Sequence, residues 1–203
     1  MAHASPLARA FVVAATLALA TQPALAGLCA APDPGLELAE ADLERLEDLD
    51  RSRTRAMAAA AAGGAEADRA VMGELYAEGV APVDASLLEG EYDCRTIKMG
   101  GLTPIVVYQW FRCRVTPEAQ AFTITKITGS QNFTGTLFAS GDGYLYRGAG
   151  NYADEEARYY GQDAERDQVG CLAARSEGER HFVLELPRPR FESFHDAIEL
   201  RPR

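Results

Sequence analysis

The chain of 203 residues carries 30 Asp and Glu against 20 Lys and Arg, a formal net charge of −10, and 47% of it is hydrophobic. A chain this acidic, with no basic stripe, cannot neutralise a run of phosphates, which excludes nucleic-acid binding as a working reading. Its length fits one domain with a sizeable core, and no segment is apolar over the ~20 residues that a membrane-spanning helix needs.

The front of the chain reads as an export signal. Arg9 supplies a positive start, residues 10–20 an apolar run, and Ala24, Leu25 and Ala26 a small-x-small cleavage site. This pattern predicts a signal peptide over residues 1–26, and with it a periplasmic or secreted protein. Leu28 stands where a lipid-anchoring signal would place a small residue before Cys29. Residues 27–38 are expected to form a flexible leader.

Residues 39–79 read as a helical hairpin. Leu43, Leu46 and Leu49 recur on one side, an alanine-rich run follows, and Gly63 and Gly64 supply a stop. In EADRAVMGELYAEG, Val71 and Leu75 share a face with Met72 and Tyr76. The leucine stripe is read as core or self-packing. Residues 37–78 hold 11 acids against 5 bases, which marks a solvated face.

Over residues 90–203 the period changes to two. EYDCRTIKM, IVVYQWFRCRV, AFTITKIT, FTGTLFA, GYLYRGA, VGCLAA, RHFVLEL and HDAIEL read as short strands separated by turns. The gaps between most neighbours are too short for parallel crossovers. The predicted fold is therefore α+β, with the helical hairpin leading into an antiparallel barrel of about eight strands, or a sandwich. The stretch NYADEEARYYGQDAERDQ is expected to hold a short helix or an overhanging loop. In KITGSQNFTGTLF, residues 129–132 are placed at a hairpin tip, with Gly135 a bulge or a close-approach glycine.

The cysteines are Cys29, Cys94, Cys113 and Cys171, and no C-x-x-C pattern occurs. In an exported chain they are expected to be oxidised, and sequence alone allows three connectivities. Cys94 alternates in phase with Tyr92 and Thr96, and Cys113 with Phe111 and Val115, so neighbouring strands offer one inward cysteine each. Closing that loop is worth about 3 kcal/mol in the chain-entropy estimate. Cys29 with Cys171 then forms the second candidate pair, stapling the leader to the barrel.

Little else announces chemistry. Beyond the signal region there are two histidines, His181 and His195. Ser193, His195 and Asp196 suggest a triad, but adjacent strand residues point to opposite faces, and no G-x-S-x-G elbow is present. Two separated histidines and oxidised cysteines fall short of a metal site, and no phosphate-binding glycine pattern occurs. No cofactor and no metal are expected. The one unusual feature is the lysines: there are two, Lys98 and Lys126, beside 18 arginines. The phase of Tyr92 and Cys94 carries to Lys98, and that of Phe122 and Ile124 to Lys126. Both ammonium groups are thus predicted to point into one end of the barrel, where a lysine must be paired or line a wet cavity. Arg95, Ser130 and Gln131, on the same strand and turn, complete the candidate binding set.

Taken together, GEYDCRTIKMGG, YQWFRCRV, KITGSQNFTGTLF, YGQDAERDQVG and LPRPRFES followed by DAIEL resemble an uncharacterised family of exported alphaproteobacterial proteins, known as a domain of unknown function. The resemblance covers roughly residues 38–203. It implies a periplasmic or secreted protein with Cys94 and Cys113 as the family's pair, and it supplies no activity. Asn132 departs from the basic residue that follows G-S-Q in that family, and Cys171 stands where a cysteine is not typical. The leading expectation is a non-enzymatic barrel that binds a small apolar or amphipathic ligand or an envelope partner. The alternative is a protein-interaction module resembling a small protease inhibitor, and the third reading is an enzyme of unknown class. A solid barrel favours the second. A cavity lined by Lys98, Lys126 and carboxylates of shifted pKa revives the third.

Overall fold

The computed structural model describes residues 36–77 and 79–203, with Met1 and Cys29. The expected cleavage site at Ala26 and most of the leader lie outside the described residues. The chain forms α1 (Glu40–Glu47), α2 (Leu49–Gly63) and α3 (Glu66–Tyr76). Among the described residues nine strands follow: β1 (Gly90–Met99), β2 (Ile105–Val107), β3 (Phe111–Glu118), β4 (Ala121–Lys126), β5 (Gln131–Ser140), β6 (Gly143–Tyr152), β7 (Asp167–Ala174), β8 (Phe182–Pro187) and β9 (His195–Pro202). Neighbours pair antiparallel in the order β1-β3-β4-β5-β6-β7-β8-β9, and β9 returns to pair with β1. The result is a closed eight-stranded barrel with β2 as an extra strand, which leaves the sheet no long open edge. Residues 153–166 contain turns and no helix, so the overhanging loop is the form that the break takes.

The stretch expected as one strand, IVVYQWFRCRV, is two. Ile97 pairs with Val107 and Cys94 with Phe111, so three steps along β1 face four along the other segment. That extra residue is a β-bulge at residues 108–110, and it switches the faces of the two halves. Ile105 packs outside the barrel, while Cys113 and Val115 lie inside. Tyr108 and Phe111, three residues apart, consequently face the same interior space.

Two apolar clusters result. The barrel interior holds Tyr92, Ile124, Leu137, Tyr146, Leu172, Phe182 and Leu184, all fully or almost fully buried. Tyr146 lies across two glycines: a Cβ on Gly135 would sit 2.4 Å from its ring, and one on Gly148 would sit 2.3 Å from its hydroxyl. Gly135 is therefore a close-approach glycine in an unbroken ladder, opposite Ile124. The second cluster joins the helices to the outer wall, with Leu49, Ala56, Ala60, Met72 and Leu75 against Ile97, Met99, Val183 and Ala197. Small Ala56 and Ala60 permit that close approach.

The helical region corrects one expectation. The first helix is divided at Asp48, and in α1 the leucines do not form the buried face: Leu43 is 38% exposed, whereas Asp42 and Arg45 are buried. The cause is polar. Arg45 pairs with Asp42 at 2.8 Å and donates to the carbonyls of Asp167 and Pro187, and the Tyr160 hydroxyl donates to Asp42. Arg45 thus satisfies two strand-end carbonyls that would otherwise be buried unpaired, and Asp42 matches its charge.

Both disulfides form. Cys94–Cys113 links β1 to β3 inside the barrel, and Cys29–Cys171 ties the leader to the outer wall.

Candidate functional site at the barrel mouth

Strand alternation sets the site. Tyr92, Cys94, Thr96 and Lys98 point inward from β1; Phe122, Ile124 and Lys126 from β4; Asp196, Ile198 and Leu200 from β9. The ends of β1 and β4 and the starts of β5, β7 and β9 thus meet at one mouth of the barrel. A cavity of about 150 Å³ lies there, lined by Lys98, Lys126, Asp196, Phe111, Gln131 and Gln168 among others. A second hollow of about 420 Å³ adjoins it, sharing Lys98, Gln131, Gln168 and Asp196. Leu102, Tyr152 and Phe191 give its wall an exposed apolar rim.

The two lysines differ. Lys98 stands directly across the ladder from Asp196, and its Nζ is 2.6 Å from Glu192 Oε2. Burial works against its charge, but Asp196 and Glu192 prevail and raise its pKa. Lys126 is only 7% exposed and forms no ion pair among the described residues. Its ammonium donates to the Gln131 carbonyl and lies 4.1 Å from the Phe111 ring centroid. Burial, assisted by repulsion from Lys98, lowers its pKa to about 8. Gly129 makes this packing available: its φ is +103°, and a Cβ there would stand 2.8 Å from the Phe111 ring and 3.0 Å from Lys126 Nζ.

Asp196 is the third ionisable group on the cavity. Burial raises its pKa to about 6 against the pull of Lys98 and of Ser193, whose hydroxyl donates to it at 2.5 Å. Asn132 also lines the cavity, and its Oδ1 is buried without a hydrogen-bond partner among the described residues. The mouth therefore combines a firmly held cation, an amine near its titration point, a protonatable carboxyl and several amide groups.

The model of a family described as a domain of unknown function, DUF4893, matches residues 36–200. The chain belongs to the DUF4893 family. No curated protein and no solved structure matches it. The family match spans the helices and nearly the whole barrel, so the mouth is built from DUF4893 residues.

Of the residues singled out from sequence in this DUF4893 chain, Lys98, Lys126, Ser130 and Gln131 line the cavity. Arg95 does not. It points to the outer wall, 2.6 Å from Glu199 Oε2 and with its guanidinium 4.4 Å from the Trp110 ring centroid. The turn is also two residues earlier than expected, at 127–130, since Gln131 and Asn132 already belong to β5. Asp196, Gln168 and Tyr108 were missed. Alternation back from Leu200 and Ile198 signals Asp196, whereas Tyr108 depends on the bulge.

His195 and Asp196 do point to opposite sides of β9. His195 Nδ1 is 3.0 Å from Ser52 Oγ, and its Nε2 is 3.6 Å from Glu185 Oε1. This Ser–His–Glu row resembles a triad in connectivity alone. His195 and Glu185 are completely buried, and Ser52 donates to the Leu49 carbonyl of its own helix. Arg53 and the Tyr76 hydroxyl also bind Glu185. Burial opposes the charge on Glu185, but His195, Arg53 and Tyr76 together hold its pKa below the ordinary glutamate value. The group clasps the helices to the barrel. Among the described residues no cluster of three or more His, Cys, Asp or Glu side chains is placed to hold a metal ion.

Proposed function

We propose that this protein is an exported binding module that takes a small anionic, amphipathic ligand at the barrel mouth. The observation that carries this reading is Lys126, a buried cation that faces a cavity and has no carboxylate partner among the described residues. An uncompensated buried charge is costly, and an entering carboxylate or similar anion relieves it. Lys98 adds a second cation, Gln131, Asn132 and Gln168 supply amide donors, and the exposed Leu102, Tyr152 and Phe191 suit an apolar tail. Below the mouth the barrel is filled by side chains, so the ligand's apolar part lies outward rather than deep within.

Two disulfides support an oxidising compartment. With the signal-like first 26 residues, they support a periplasmic or secreted location.

Native mass spectrometry of protein recovered from the periplasm tests the reading. Wild-type protein retains an acidic small molecule that Lys98→Met/Lys126→Met protein lacks. Equal retention by the folded double variant would sink it.

A further inference from the structure

The two lysines of the cavity are held differently, and the difference suits a reaction. Lys98 is fixed as a cation between Glu192 and Asp196. Lys126 sits against an aromatic ring and a carbonyl in the same cavity, with no carboxylate within ion-pair distance among the described residues. A desolvated lysine beside a second cation is the arrangement that makes an amine nucleophilic. We propose that the cavity captures a small oxo acid covalently, as an imine on Lys126.

This proposal rests on the anion-binding reading above and adds a bond to it. Lys98 and the amides of Gln131 and Gln168 hold the carboxylate, and Lys126 meets the carbonyl carbon. The lysine nitrogen's lone pair forms the N–C bond while the carbonyl π pair moves to oxygen. The nitrogen loses a proton and the oxygen gains one, giving a carbinolamine. A second proton on that oxygen lets it leave as water as the nitrogen lone pair closes the C=N bond. The iminium nitrogen then gives up its remaining proton, which returns the second proton, so neutral amine and carbonyl become imine and water with no oxidant or reductant, and hydrolysis reverses the step. Asp196, on the same cavity, is placed to carry the proton, and its tendency to titrate near 6 complements an amine that titrates near 8. The cavity volume of about 150 Å³ admits a small acid, below the ~300 Å³ at which drug-sized pockets begin.

The test uses the full folded protein with glyoxylate and cyanoborohydride, which reduces imines and fixes the adduct for intact mass and peptide mapping. The chain has two lysines, so beside the N-terminal amine there are two sites to distinguish. The expected result is one reduced adduct on Lys126, blocked by excess propionate and lost in Lys126→Arg. That variant keeps the positive charge, and its intact disulfides and unchanged urea-unfolding midpoint separate loss of the amine from loss of the fold. An adduct spread equally over Lys98, Lys126 and the N-terminus overturns the proposal, as does unchanged labelling in Lys126→Arg. Propionate binding without any Lys126 adduct overturns the imine and leaves the anion site standing. Neither binding nor adduct overturns both.

Discussion

Lys126 Nζ lies 4.1 Å from the centroid of the Phe111 ring and shares a cavity with Lys98, the other lysine of the chain. The ring removes water from the ammonium group without supplying a counter-charge, and Lys98 repels it. With two lysines in the chain, side-chain NMR resolves them individually. Lys126 is expected to titrate near 8 and Lys98 above its ordinary value of 10.5. Lys98→Met removes the repulsion, so the Lys126 midpoint rises. A Lys126 midpoint at 10.5 in the wild type would remove the basis for treating the two differently.

The pH dependence of stability follows from three groups with separate signs. Asp196 goes from 3.8 unfolded to about 6 folded, so the native state binds the extra proton and stability falls as pH rises through that window. Lys126 goes from 10.5 to about 8, so the unfolded state binds more protons and stability rises as pH climbs through that window. Glu199 is held at about 2, against burial, by His181, Arg95 and Arg201, so its contribution is lost as pH falls from 4.5 through about 2. Urea unfolding across pH checks each: Asp196→Asn flattens the first slope, Lys126→Met the second and Glu199→Gln the third.

Much of this was legible in strand alternation, because one buried face per strand fixes every second residue. Tyr92 and Cys94 led correctly to an inward Lys98, and Ile124 to an inward Lys126. The disulfide between Cys94 and Cys113 was equally accessible. What alternation could not supply was anything that depends on long-range partners. Arg45 is buried because carbonyls of Asp167 and Pro187 await it, more than a hundred residues away. His195 meets Ser52 only after a helix folds back over β9. The bulge at 108–110 shows no local glycine or proline, yet it decides which side of the wall Tyr108 and Phe111 occupy.

Gly135 and Gly148 are fixed by the Tyr146 ring. Alanine at either position places a Cβ within 2.4 Å of a fully buried side chain. Each substitution is expected to destabilise by about 1–3 kcal/mol, the usual cost of overpacking, measured by urea unfolding. Phenylalanine at position 146 leaves that clash in place, so Tyr146→Phe does not rescue Gly135→Ala, whereas Tyr146→Leu does in part.

The disulfides close loops of very different length, with sequence separations of 19 for Cys94–Cys113 and 142 for Cys29–Cys171. In the chain-entropy estimate these constrain the unfolded state by about 3 and about 5 kcal/mol. Cys29→Ser/Cys171→Ser is therefore expected to cost more stability than Cys94→Ser/Cys113→Ser. Thermal unfolding of the two double variants under non-reducing conditions makes the comparison, and the reverse order would show that local packing around Cys94 and Cys113 dominates.

Anion binding at the mouth is measured most directly by titrating propionate into isotopically labelled protein and following the side-chain signals of Lys126, Gln131, Asn132 and Gln168. Saturable shifts at those groups are predicted, lost in Lys98→Met/Lys126→Met protein that retains both disulfides and its fold. Undiminished binding in that double variant, or shifts confined to exposed arginines away from the mouth, would contradict it.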